Sequence, residues 1–115
     1  MKLDRTRELI HGTINESEPL DALVHVLESV LELVQLPDND FSWSCWNNSY
    51  EATEKITMLL NMAKSRALPD RVDVCMLFAP TGPLQEVSLS SGWAEPFITV
   101  SDKYDQVEKL LWPNS

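Results

Sequence analysis

Asp21, His25, Glu28 and Glu32 follow one another at spacings of four, three and four residues. On a helix that spacing makes one longitudinal row with three carboxylates in it. Glu28 and Glu32, one turn apart, repel each other by roughly a few tenths of a kcal/mol, and a cationic partner or plain water relieves that repulsion. Trp43, Trp46, Trp93 and Trp112 make four tryptophans in 115 residues. Trp46 and Trp93 stand at the ends of predicted strands, beside loops, and aromatic side chains with a polar edge are enriched at binding interfaces. The expected partner-binding set is therefore Asp21, Glu28 and Glu32, with Trp46 or Trp93 as anchor. The plainer reading of the tryptophans is that they cover the ends of a small core.

A second set could do acid and base work. Asp73 and Glu86 fall on strands predicted to pair, and with Trp43 and Trp93 they would line a pocket between a sheet and its helices. Catalysis would need that pocket to bury a carboxyl and raise its pKa. Other chemistry finds little support. His11 and His25 are fourteen residues apart and Cys45 and Cys75 thirty, so neither pair has zinc-site spacing, and no metal or cofactor is expected. An EF-hand starting at Asp38 would need Gly at position six and Glu at position twelve, where this chain has Trp43 and Ser49. Ser88, Ser90 and Ser91 lie in SLSSG, which lacks the first Gly of a nucleophile elbow. The two cysteines read as reduced, buried thiols on different strands.

Charge is the most informative compositional feature. The chain carries 9 basic and 18 acidic residues, a formal net charge of −9. From Glu8 to Glu54 there is no Lys or Arg, while Glu8, Glu16, Glu18, Asp21, Glu28, Glu32, Asp38, Asp40, Glu51 and Glu54 supply ten negative charges. Such a surface disfavours nucleic-acid backbones and anionic membranes and attracts cationic partners, less so as salt is added. No apolar run approaches the roughly 20 residues of a membrane span, and charges interrupt the N-terminal stretch, so a cytoplasmic location is expected.

The elements that position these residues are read as follows. Residues 2–14 show a weak helical pattern. From Glu18 to Gln35 the pattern is strong, with Pro19 and Asp21 in the first turn and Leu20, Leu23, Val24, Leu27, Leu31 and Val34 at helical spacing. Val26, Val30 and Leu33 widen its apolar arc, which suits burial between layers or a homodimer interface. Phe41 to Trp46 alternates with period two and predicts a strand. Asn48 and Glu51 form a capping-box-like start to a helix with Ile56, Leu59, Leu60, Ala63 and Ala67 as its stripe. Val72–Phe78 and Leu84–Ser90 flank the turn-forming APTGP and predict a hairpin. Residues 93–100 predict a further strand or packed loop, and a last helix starts at Ser101 and Asp102. The expected fold is one α+β domain over residues 1–115, a three- or four-stranded mixed sheet containing the 72–90 hairpin and packed by three or four helices. The expected function is a non-enzymatic acidic module that binds a basic protein, in the manner of an immunity, inhibitor or regulatory protein. The alternative is a small-molecule-binding domain or minor enzyme.

Overall fold

The broad apolar arc of the 18–35 segment forms the centre of the molecule. In the computed structural model, which describes residues 3–42, 44–80 and 82–113, this segment is helix α2, Pro19–Val34. Pro19 occupies its first turn, and beyond Val34 the Gln35 amide donates back to the Leu31 carbonyl. Leu23, Val26, Leu27, Val30, Leu33 and Val34 are all but sealed from solvent. Burial of each such side chain contributes about 1.5–3 kcal/mol. Three helices of the same chain surround α2: α1 (Asp4–His11), α3 (Ser49–Lys64) and α6 (Ala94–Leu111). The wide arc, read as suiting burial between layers or a homodimer interface, packs against these three helices.

Helix α3 begins as the sequence predicts, with the Asn48 side chain accepting from the Glu51 amide. Glu51 reaches back one residue further than a standard capping box, its carboxylate accepting from the Asn47 amide at 2.9 Å and the Asn47 side chain at 3.1 Å. Ile56, Leu59, Leu60 and Ala63 are buried against α2, whereas Ala67 lies beyond the helix end and is exposed.

The remaining elements overturn the α+β expectation. No strand occurs among the described residues. The segment predicted as the first strand of the hairpin lies in helix α4, Arg71–Phe78, in which Val74, Leu77 and Phe78 are buried and Val72, Asp73 and Met76 are exposed. That division has helical spacing. A short apolar run of this kind does not distinguish a strand from a buried helix by periodicity alone. The second predicted strand is helix α5, Pro83–Ser91, where Leu84, Val87 and Ser88 are buried and Leu89 is 61% exposed. The apparent alternation of Val87 and Leu89 hid a 0, 3, 4 pattern. Its true signals were Pro83 in the first turn and Gly92 after the last, the latter left-handed at φ +85° with its amide donating to the Ser88 carbonyl. APTGP links two helices.

Residues 94–100 are likewise helical, the opening of α6, with Trp93 at its N-cap. Pro96 interrupts nothing, because the first four amides of a helix have no intrahelical acceptor. The described residues of the segment predicted as the first strand, 41–42 and 44–46, are not strand: Ser44 donates its amide to the Phe41 carbonyl, and the Ser42 amide donates to the Asp40 carboxylate at 2.9 Å. Short polar side chains at alternate positions here bond to nearby backbone, which competes with a strand ladder.

One core runs through all six helices. At the α4–α6 side it is aromatic: Phe78 stacks on Tyr104 with ring centroids 4.2 Å apart and on Phe97 at 6.2 Å, and Trp93 meets Phe97 edge-on at 6.3 Å. No helix among the described residues is long and apolar enough to cross a membrane.

Candidate functional site

The predicted acidic row does lie along one side of α2, and α1 is laid over it. Helix α1 has no side-chain cap of its own. Glu32 supplies one from across the interface, its carboxylate accepting from the Arg5 amide at 3.0 Å, the Thr6 amide at 2.8 Å and the Thr6 hydroxyl at 2.8 Å. The first-turn amides of a helix, with the positive end of its dipole, favour a carboxylate there. The Ser29 hydroxyl donates in turn to Thr6 Oγ1 at 3.1 Å, so the buried Thr6 hydroxyl both gives and receives.

The rest of the row is engaged in the same way. Glu28 Oε1 accepts from Arg5 Nε and lies 2.9 Å from its Nη2, while Lys64 of α3 stands 3.7 Å from Oε2. Burial tends to lower the Arg5 pKa, but bonds and charge from Glu28 and Glu8 outweigh it and hold the guanidinium above its ordinary value. His25 Nε2 donates to the Arg5 carbonyl at 2.9 Å. Asp21 pairs with Arg66 at 2.6 Å on the surface. At Asp21 and Glu28 the chain supplies its own cations, Arg66 and Arg5, whereas Glu32 is taken up by the amides of Arg5 and Thr6 and by the Thr6 hydroxyl. Arg5 and Arg66 lie on either side of the cation-free stretch and fold back onto it. The length of that stretch was the available signal.

The aromatic anchors are placed differently from expectation. Trp46 and Trp93 are 7% and 5% exposed, so neither stands on the surface. Trp93 Nε1 donates to the Asn39 side chain at 2.7 Å, and Asn39 donates to the Leu33 carbonyl at 2.7 Å, which seals the end of α2. They cover core ends, as the plainer reading of the sequence has it. Trp43 lies outside the described residues.

Asp73 and Glu86 do not sit on paired strands. Asp73 is exposed on α4 and Glu86 half-buried on α5, so the pocket expected between sheet and helices has no sheet to form it. Glu86 instead edges an open hollow of about 340 Å³ with Cys45, Met76, Ala79, Pro80, Gly82 and Pro83. Cys45 is exposed, contrary to the buried thiol expected, and Cys75 is half-buried; both are free.

What the sequence reading missed is the outer face of α4–α6. Val72 and Met76 on α4, Leu89 on α5 and Ile98 on α6 are each about 60% exposed. Between α5 and α6 runs a groove of about 250 Å³ with Phe78 in its lining and Leu89, Ile98 and Asp102 along its walls. From Ala67 to Asp102 the chain has five carboxylates, Asp70, Asp73, Glu86, Glu95 and Asp102, against one base, Arg71. Arg71 is turned to Glu108 at 3.6 Å, and none of the five has a cation within ion-pair distance among the described residues. Glu95, Ile98, Asp102 and Asp105 are all exposed at spacings of three, four and three, which sets them in one row on α6. The row is hidden in the sequence because its first half falls in 93–100, where a strand or packed loop is expected. Burial, followed by the charges of Glu108 and Asp102, holds the Asp105 carboxyl above its ordinary value.

Comparison of the chain with protein-family models, with curated proteins and with solved structures gives no match.

Proposed function

We propose that this protein is a binding module for a basic protein, and that it acts through the outer face of α4–α6. The observation that supports the reading is that Leu89 and Ile98, each about 60% exposed, share one groove with Asp102, a carboxylate that has no cation within ion-pair distance among the described residues. Exposed apolar side chains gathered on one face, with charge around them, have the composition of an interaction surface. The charge would steer association and select the sign of the partner, and the apolar contacts would supply much of the affinity. Asp21, Glu28 and Glu32 have a different role in this reading. They hold α1 in place, and a partner reaching Glu28 or Glu32 would have to displace Arg5 and Thr6.

The test is affinity capture from the native lysate at low and at high salt, with the retained proteins identified by mass spectrometry. The reading expects a basic protein that is held at low salt and lost at high salt. It also expects the Glu95→Gln/Asp102→Asn variant to retain less of that protein. Failure to retain any basic protein at low salt overturns it.

A further inference from the structure

The groove between α5 and α6 is built to take the apolar edge of a helix. Its walls come from Gln85, Ser88 and Leu89 on one side and Phe97, Ile98 and Asp102 on the other. Along α6 it extends from Ala94 to Asp102, about 12 Å at 1.5 Å per residue. That is roughly two helical turns, the distance over which a helix presents apolar residues at positions i, i+4 and i+7. The volume of about 250 Å³ exceeds the roughly 150 Å³ of a cavity that accepts a benzene-sized group. One large side chain can enter while its neighbours rest on Leu89 and Ile98.

The charges around this groove restrict what can occupy it. Glu95 and Asp102 flank Ile98 on α6, with Asp105 one turn further on. The nearby bases are occupied or lie further along: Lys103 donates to the Gly12 carbonyl at 2.7 Å on the α1 side, and Arg71 faces Glu108. Asp105 lies within reach of the charges of Asp102 and Glu108, offset in part by Lys109. A second copy of this chain would instead bring a net charge of −9 against the same carboxylates.

We infer that the α5–α6 groove is the docking site for a basic amphipathic helix of the partner protein. One apolar side chain of that helix enters over Phe78, its neighbours pack on Leu89 and Ile98, and its Lys or Arg residues meet Glu95 and Asp102. Such docking is the helix-in-groove mode of recognition. The inference rests on the reading of the preceding section and adds the place and the shape of the partner's contact.

The experiment is a titration of the ¹⁵N-labelled chain, at physiological salt, with three synthetic 16-residue helical peptides. One carries Leu at i, i+4, i+7 and i+11 with Lys elsewhere on its polar face; the second replaces Leu by Gln; the third replaces Lys by Glu. The Leu/Lys peptide is expected to bind at least tenfold more tightly than either control, with shifts concentrated at 85–89 and 94–102. Leu89→Ser/Ile98→Ser, changed at two exposed positions, is expected to lower its affinity to that of the Gln/Lys peptide. Equal binding of the Leu and Gln peptides, equal binding of the Lys and Glu peptides, no binding, or shifts centred elsewhere each overturns the inference. A basic protein captured equally by the wild type and by Leu89→Ser/Ile98→Ser would leave the basic-partner reading standing and the groove assignment refuted.

Discussion

Replacing Glu32 by alanine removes the acceptor for two first-turn amides of α1 and for a buried hydroxyl, at 2.8–3.0 Å each. Hydrogen bonds to a charged group are worth about 1.5–3 kcal/mol apiece, but bonds that share one carboxylate do not add, and amides near a helix end can recover water. A loss of about 2–4 kcal/mol follows for Glu32→Ala. It should be concentrated in α1, because an eight-residue helix does not persist once released from its contacts. The measurement is native-state amide hydrogen exchange: α1 amides should exchange about 30- to 1,000-fold faster, since each 1.4 kcal/mol is a factor of ten. Exchange in the α3 core should rise by no more than the change in global stability. Glu32→Gln keeps one acceptor oxygen and should cost about 1–2 kcal/mol. Asp21→Asn, at an ion pair about half exposed on both sides, should cost no more than about 1 kcal/mol. A neutral or stabilising Glu32→Gln would refute the reasoning, because it would mean that lowering the chain's negative charge outweighs the specific bonds.

Two further substitutions probe the α4–α6 side. A Cβ at Gly82 would lie 2.8 Å from the Ala79 carbonyl oxygen and 2.9 Å from that of Met76, both backbone atoms; Gly82→Ala should therefore cost about 1–3 kcal/mol, read as a lower urea midpoint with unchanged slope. Asp105 has its folded-state pKa raised, so its ionised form opposes folding at neutral pH, and stability recovers as pH falls through the folded pKa. Asp105→Asn should stabilise the protein by about a few tenths of a kcal/mol at pH 7, the scale of like-charge repulsion along a helix, with the gain disappearing in melts at acidic pH.

The two long helices at the centre could be read from the sequence because several independent signals agreed there. In α3 the Asn48 cap and the Ile56–Leu59–Leu60–Ala63 stripe point to the same element. In α2, Pro19 and the broad arc do the same. The 72–100 region offered competing signals. Val72–Phe78 is apolar and β-branched enough to resemble a buried strand, and APTGP resembles a hairpin loop. Pro83 and Gly92 marked a helix start and stop, but eight- and nine-residue helices are too short for periodicity to override that impression. Burial pattern decides it: Val74 with Phe78 and Leu84 with Ser88 are i, i+4 pairs facing inward. The acidic row was visible as geometry, yet its occupant was not, because Arg5 and Thr6 sit on a weakly patterned segment and reach Glu28 and Glu32 only through tertiary folding. Missing the α6 start concealed the Glu95–Ile98–Asp102 row as well.

The central claim concerns which acidic face receives the partner, and the most direct measurement is hydrogen–deuterium exchange on the complete chain, free and bound to the captured basic protein. The account predicts new protection in residues 83–102, with α1 and the Glu28–Glu32 turn of α2 unchanged. Protection confined to α1 and α2, or exchange of α1 accelerated as a partner displaces Arg5 and Thr6 from the row, would contradict it.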